Sequence, residues 1–217
     1  MVEKDHYDTI NSPVEGFYKE KGSKFFGYAY PCVTISDHKA SIESLKALHP
    51  KSRHICYAYR LGITGSEFRI NDDGEPSGTA GRPIYNEILS NEYSDILVAV
   101  VRYFGGTKLG ATGLIRAYKA AASDSLAGAT RTTKYLTEKR SISYPIDRMG
   151  KLYEILKSEG IEIIESLYEP IPHLTVSCRR SIIDTKMLAV TAKMHGYAPD
   201  QIDEEFKSDI ITIKPVT

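Results

Sequence analysis

Residues 71–84 read Asn-Asp-Asp-Gly-Glu-Pro-Ser-Gly-Thr-Ala-Gly-Arg-Pro-Ile, a run of turn-forming and charged residues between two strand-like segments. Three glycines permit positive φ angles and two prolines restrict φ, so the sequence predicts an ordered loop. A second loop, Arg102-Tyr-Phe-Gly-Gly-Thr-Lys-Leu-Gly-Ala-Thr-Gly113, follows an apolar segment and opens a helix. Functional residues collect on loops held by a rigid scaffold, so the two loops together predict one site.

The segments around these loops predict alternating strands and helices. Residues 25–35 favour a strand, and Ser36 is a suitable N-cap for the helix that follows. Residues 54–61 alternate in polarity, and a turn at Gly65 makes a hairpin that leads into the first loop. Residues 96–101 are continuously apolar, as expected of a strand that is covered on both faces.

The tract 127–133 interrupts the pattern with small and polar residues. We interpret it as the boundary between a domain of residues 1–130 and a domain of residues 134–217. Beyond it the pattern predicts, in order, a strand at 135–146, a helix at 147–158, strands at 161–168 and 173–178, a helix at 182–195 and a strand at 210–214. This βαββαβ order is typical of the ferredoxin-like fold, in which two helices cover one face of an antiparallel sheet. The predicted fold class is therefore α+β, with two domains.

Composition argues against a polycationic nucleic-acid binder, a disulfide-bonded or zinc protein, and a membrane protein. The 217 residues contain 28 lysines and arginines and 28 aspartates and glutamates, so binding to nucleic acid would need a local basic patch. The cysteines, Cys32, Cys56 and Cys178, are odd in number and lie in strand-like segments, which favours buried thiols over disulfides or a zinc site. With no leader-like segment and no apolar run near ~18 residues, we expect a cytoplasmic protein without membrane contact.

The second loop is a candidate anion site. No acidic residue lies between Asp95 and Asp124, whereas four cations do. Free N–H groups at a helix N-terminus attract anions, and the glycines would leave them accessible. The candidate residues for binding an anion or nucleic acid are Arg102, Gly105, Gly106, Lys108, Gly110, Gly113, Arg116 and Lys119. The alternative is that the glycines allow close packing and the cations form a solvated face.

Aromatic residues near this loop offer a further contact with nucleic acid. Tyr103, Phe104 and Tyr118 would stack on bases if exposed, and packing in the core is the alternative. The loop has neither the spacing of a P-loop nor a Gly-x-Gly-x-x-Gly register, so no nucleotide cofactor is predicted.

The first loop contains three carboxylates, Asp72, Asp73 and Glu75, whose oxygens are candidate ligands for Mg²⁺ or Ca²⁺. Alternatively they cap backbone N–H groups or pair with Arg82 and Arg102. An EF-hand alignment on Gly74 fails because Arg69 and Ala80 occupy ligand positions, so no metal is predicted.

Nucleophilic catalysis would need Ser77 or Thr79 beside His54 and Asp73, but the sequence contains no Gly-x-Ser-x-Gly elbow. His54 is also well suited to a structural hydrogen bond. The loop residues without an assigned role are His54, Asp72, Asp73, Glu75, Ser77, Gly78, Thr79 and Arg82.

These segments resemble the YigZ/IMPACT family. The matching stretches are Lys21-Gly-Ser-Lys-Phe-Phe26, His54-Ile-Cys-Tyr-Ala-Tyr-Arg60, residues 72–84, and Val101 to Gly110 running on to Gly113-Leu-Ile-Arg-Ala-Tyr118. The resemblance covers about residues 1–130, and the C-terminal segment looks like the small domain of bacterial members. Ala111-Thr112-Gly113 departs from the Gly-Gly found in many members and reduces backbone freedom there.

The resemblance implies an N-terminal fold like the second domain of ribosomal protein S-five and a C-terminal domain like the last domain of elongation factor G. For eukaryotic members it implies a non-catalytic role in translational control, by competition for a protein that activates a kinase during amino-acid starvation. Those members carry a different second domain.

We therefore expect a non-enzymatic regulator linked to translation. It would bind RNA, the ribosome or a translation factor through its glycine-rich cationic site. One alternative is a metal-assisted hydrolase or phosphoryl-handling enzyme that uses Asp72, Asp73 and Glu75. The other is a pure protein-interaction module, in which the loops only shape a surface.

Overall fold

A computed structural model of the chain describes residues 5–216. Two compact units are present: one spans His6–Lys134, and the other runs from Tyr135 onward and includes Asp5. Within the described part of the chain, no helix has both the length and the apolar character needed to cross a bilayer.

The N-terminal unit is a five-stranded sheet with helices on both faces. Its elements are β1 (His6–Ile10), β2 (Val14–Glu20), β3 (Ser23–Pro31), α1 (Ile35–Leu48), β4 (His54–Leu61), β5 (Glu67–Asn71), α2 (Gly81–Ser90), β6 (Ile96–Tyr103), α3 (Gly110–Ala127) and β7 (Arg131–Tyr135). The sheet has the order β2-β3-β6-β4-β5, with all neighbours antiparallel. β1 pairs separately with β7.

Strand β6 divides the unit into two cores. Ile96, Val98 and Val100 enter the core formed with α2 and α3, whereas Leu97, Ala99 and Val101 enter the core formed with α1. All six are fully buried, which confirms the expected strand with two covered faces. Each large aliphatic side chain buried in this way contributes about 1.5–3 kcal/mol.

The C-terminal unit has the βαββαβ order that the sequence predicted. It comprises β8 (Thr137–Ser143), α4 (Met149–Ser158), β9 (Glu162–Leu167), β10 (His173–Arg179), α5 (Ile183–His195) and β11 (Thr212–Pro215), with short 3₁₀ turns at 146–148, 180–182 and 199–201. The sheet order is β11-β8-β10-β9, all antiparallel, which is the ferredoxin-like order. Leu152, Leu156 and Val190 of the two helices share one core with the sheet.

Two local predictions are wrong. Strand β3 ends at Pro31, and Thr34 rather than Ser36 caps α1. The Thr34 hydroxyl accepts from the Asp37 N–H at 3.2 Å, and the Asp37 carboxylate accepts from the Thr34 N–H at 2.8 Å. This reciprocal capping box satisfies two donors, which a cap at Ser36 would not achieve.

The tract 127–133 is not a simple linker. Helix α3 continues to Ala127, and β7 begins at Arg131, whose guanidinium pairs with Asp8 at 2.7 Å. At the other end of the chain, Asp5 accepts hydrogen bonds from Arg179 at 2.7 and 2.9 Å, which explains why it belongs to the C-terminal unit.

Candidate functional site

The second loop is held against the β2–β3 turn. Lys21 and Gly22 both have positive φ and form this two-residue turn. The Gly105 N–H donates to the Ser23 hydroxyl at 3.1 Å. A Cβ atom on Gly105 would lie 1.9 Å from the Gly22 carbonyl carbon, so only glycine allows the two backbones to approach this closely. The segments 21–26 and 101–110 are thus one structural assembly.

A buried network joins the first loop to β6 and α3. The Arg102 Nη1 donates to Glu75 Oε1 at 2.6 Å, and the Tyr118 hydroxyl donates to the same oxygen at 2.8 Å. The pKa of Tyr118 is raised, chiefly by burial and then by Cys56 and Glu75. Arg102 therefore links the two loops inside the protein and is not a surface cation. Its Nε has no hydrogen-bond partner among the described residues.

Asp72 organises the first loop from within. Its carboxylate accepts from the backbone N–H groups of Gly78 at 2.9 Å, Ala80 at 3.0 Å and Gly81 at 2.8 Å. Gly81 is the first residue of α2, so Asp72 supplies the cap that Ala80 lacks. The carboxylate is fully engaged by the loop that carries it.

The side chains of Asp73 and His54 each form a hydrogen bond with a backbone atom and do not form a catalytic pair with each other. The Asp73 carboxylate accepts from the Ile55 N–H at 2.6 Å, and the His54 Nδ1 donates to the Asp73 carbonyl oxygen at 2.7 Å. The Thr79 hydroxyl donates to the Pro76 carbonyl at 2.6 Å. No nucleophile, base and carboxylate are hydrogen-bonded in series within these loops as described.

The carboxylates of the first loop also do not converge. Asp72 faces the start of α2, Asp73 faces β4, and Glu75 is buried against Arg102. Across residues 5–216 no group of three or more histidine, cysteine, aspartate or glutamate side chains is arranged to hold a metal ion. The arrangement that a metal-assisted hydrolase would need at Asp72, Asp73 and Glu75 is therefore not formed.

Most of the local positive charge is neutralised by residues distant in sequence. Arg116 forms an ion pair with Glu20, and Lys119 lies 3.6 Å from Glu87. Arg116 holds the pKa of Glu20 below its usual range. Sequence reasoning missed Glu20 and Glu87, because no local pattern shows which strand or helix will pack against α3.

The positive charge of Lys108 lies at the surface and is not compensated by a neighbouring carboxylate in the described residues. It is exposed and has no ion pair in the described part of the chain, and the same is true of Arg82 at the start of α2. Helix α3 begins at Gly110 without a side-chain cap and without an acidic residue in its first turn. Gly106 and Gly110 have φ of +87° and +71°, and both have open space around them, while Gly113 is half-buried beside Leu109.

The three aromatic residues proposed to stack on bases differ in their exposure to solvent. Tyr118 is fully buried and packs edge-on against Phe25, whereas Phe104 is 56 % exposed and Tyr103 is half-buried. Of these three residues, only Tyr103 and Phe104 reach solvent. Stacking on bases remains a prediction for these two and is excluded for Tyr118 by its burial.

Comparison with known proteins identifies the family. The model of the Impact N-terminal domain matches residues 21–126, a range that contains both loops. The chain is 30 % identical over 168 residues to IMPACT family member YigZ of Escherichia coli (strain K12), covering 76 % of this chain and 82 % of that protein. It is 33 % identical over 144 residues to the IMPACT family member in pol 5'region of Thermus thermophilus, covering 66 % and 77 %.

A solved structure supports the fold over nearly the whole length. A crystal structure described as that of a hypothetical protein superposes with a TM-score of 0.67 and 26 % identity, covering 94 % of this chain and 100 % of the other. Both units therefore occur together in an experimentally determined protein. With the matched domain model and relatives aligned over more than three quarters of their length, the chain belongs to the IMPACT family.

Proposed function

We propose that this protein is a non-catalytic regulator linked to translation, which binds the ribosome through its RNA. The observation that carries the proposal is the uncapped N-terminus of α3 beside the exposed Lys108. Free N–H groups and the helix dipole favour a phosphate at such an end, and a lysine next to it adds a full positive charge.

Binding rather than catalysis is supported by the state of the first loop. The carboxylates of Asp72, Asp73 and Glu75 each accept hydrogen bonds from the protein itself and stabilise the loop or its neighbours. A loop held by these internal hydrogen bonds is already ordered before a ligand binds, so little conformational entropy is lost on binding.

The ion-paired cations contribute less than the sequence suggested. Arg116 and Lys119 keep exposed head groups, but Glu20 and Glu87 compensate their charge. We therefore assign the phosphate contact to Lys108 and to the N–H groups of α3. A role at the ribosome also implies a cytoplasmic location, where buried free thiols such as Cys32 and Cys56 stay reduced.

The test is co-sedimentation of the full chain with ribosomes over a range of salt from about 50 to 200 mM. We expect association that weakens steeply with salt and is lost in Lys108→Ala. Lys39→Ala is the matched control, since Lys39 is an exposed lysine on α1 that has no ion pair among residues 5–216. Association that is equal in Lys108→Ala and Lys39→Ala, or absent at all salt concentrations, would overturn the proposal.

A further inference from the structure

One face of the five-stranded sheet is only partly covered. Ile42 and Leu45 of α1 pack in the core over β4 and β6, and the β2–β3 end of the same face keeps aromatic side chains near solvent. Phe17 on β2 is 46 % exposed, and Phe26 and Tyr103 are half-buried. We call Phe17, Phe26, Tyr103 and Phe104 the aromatic face.

Three of the four rings, those of Phe17, Phe26 and Tyr103, adjoin one another, and the centre of the Phe104 ring lies 5.6 Å from the Arg102 guanidinium carbon. Phe17 and Phe26 are direct cross-strand partners with ring centroids 5.1 Å apart, and Phe26 meets Tyr103 edge-on at 5.8 Å. Phe104 follows Tyr103 and lines the same cleft of about 490 Å³, together with Phe26 and Lys24. A cleft of this volume, lined by Phe26, Tyr103 and Phe104, is large enough for one nucleobase.

Two lysines face each other beside these rings. Lys19 and Lys24 are direct cross-strand partners, and Lys24 is also in register with Tyr103. Like charges directly opposite each other destabilise a sheet, and neither lysine has an ion pair among residues 5–216. Lys21 in the adjoining turn adds a third exposed cation.

The charge pattern favours a polyanion as the occupant. Lys19 and Phe17 alternate on the same face of β2, so cation and ring lie about 7 Å apart. Glu15, the acidic residue on this face of β2, lies on the far side of Phe17 from the lysines. A protein partner would not need a like-charge lysine pair next to exposed phenylalanines, whereas a phosphate backbone neutralises it.

We propose that the aromatic face binds single-stranded nucleic acid. Bases stack on Phe17 and Phe104, and Lys19, Lys21 and Lys24 contact the phosphates. A single strand is required because the faces of bases in a duplex are already stacked on each other. The inference rests on the proposed RNA-binding function for its ligand, but it uses residues other than Lys108 and the N-terminus of α3.

The experiment measures fluorescence anisotropy of a labelled oligouridine of about 12 nucleotides, a typical site size for such surfaces. We expect Phe17→Ala and Phe104→Ala each to weaken binding about tenfold to a hundredfold. Phe17→Tyr keeps a stacking ring and retains affinity, whereas Phe17→Leu keeps apolar area and loses it. The matched control is Phe68→Ala, because Phe68 is 50 % exposed but stacks on Tyr85 at the β5 edge.

The contribution of the lysines is measured separately. Lys24→Ala is expected to reduce the slope of log affinity against log salt by about 0.7, the value for one phosphate contact on a single strand. An abasic strand of the same length should bind more weakly than oligouridine, because it offers phosphates but no bases. An oligodeoxyuridine arm shows whether the ribose is read, and equal affinity for both sugars still supports a stacking face.

The inference is overturned if Phe17→Ala and Phe104→Ala bind like the native protein, if the abasic strand binds equally well, or if Phe17→Leu matches Phe17→Tyr. The last result would show that apolar area at position 17, and not stacking of a base on an aromatic ring, supports binding. Ribosome association that depends on Lys108, without Phe17-dependent binding of oligouridine, rejects this inference alone. Phe17-dependent binding of oligouridine without ribosome association rejects the proposed function alone.

Discussion

Arg102 and Glu75 form a buried ion pair, with 2.6 Å between Nη1 and Oε1 and only 8 % and 4 % of their side chains exposed. The pair connects the end of β6 to the loop between β5 and α2. A buried pair of this kind persists only when further hydrogen bonds offset desolvation, and the Tyr118 hydroxyl supplies one to Glu75. The first loop is therefore joined to the start of the second loop by an ion pair inside the molecule.

Glu75→Gln should destabilise the N-terminal unit by about 3–5 kcal/mol, because it leaves the Arg102 guanidinium buried without a counter-charge. Urea unfolding followed by circular dichroism measures the loss. Glu43→Gln is the control: its partner Lys46 is exposed, and we expect an unchanged midpoint. The double variant Arg102→Met with Glu75→Leu should recover part of the loss. A double variant no more stable than Glu75→Gln would show that the charge is not the cause.

The role of Arg102 shows the limit of prediction from sequence. Residues 96–101 are apolar on both faces of β6, so their pattern does not reveal on which side of the sheet Arg102 lies. Register with β4 and packing of α3 place it beside Glu75, and both are long-range properties. Sequence reasoning could only offer pairing with a first-loop carboxylate and anion binding as alternatives.

Asp72→Ala should destabilise the protein by about 2 kcal/mol, because three backbone N–H groups lose their acceptor and α2 loses its cap. Asp72→Asn should lose less, since the amide keeps one acceptor oxygen. Thermal unfolding by calorimetry is the measurement. Ser77→Ala in the same loop is the control, since Ser77 is exposed and has no hydrogen bond in the described chain. Equal losses for Asp72→Ala and Ser77→Ala would contradict the capping role.

Gly105→Ala should cost about 1–3 kcal/mol, because the added Cβ would meet the backbone of Gly22, which cannot give way without moving the β2–β3 turn. Gly128→Ala is a suitable control: its nearest neighbour would be 3.8 Å away and its φ is −81°. The measurement is the urea midpoint of each variant. If Gly105→Ala is as stable as Gly128→Ala, the close approach of the two segments is not required.

The C-terminal fold was predictable because its pattern is local. The sequence predicts a helix at 182–195 and a strand at 173–178, and the structure has α5 at Ile183–His195 and β10 at His173–Arg179. The pairing of β1 with β7 was not predictable. Both strands are short and polar, and more than one hundred residues separate them. Exposure of Phe104 and burial of Tyr118 likewise depend on packing between elements distant in sequence.

His38 is a buried titratable residue on the core-facing side of α1. Its ring lies 4.9 Å from each of the rings of Tyr57 and Tyr59, and it is only 6 % exposed. Burial is the main cause of its lowered pKa, and the charges of Arg69 and Lys39 act in the same direction. The folded protein therefore disfavours the imidazolium, whereas the unfolded chain takes up the proton near its ordinary pKa of about 6.5.

Stability should consequently fall as pH decreases from about 6.5 through the lowered pKa of folded His38, since the unfolded state binds more protons in that range. His38→Phe keeps the ring in place and removes the titration, so we expect a smaller loss between about pH 7 and pH 5. Part of the loss should remain, because burial also lowers the pKa of His49. Urea midpoints of the native protein and of His38→Phe at both pH values give the comparison. An identical pH dependence in the two proteins would show that His38 does not carry the effect.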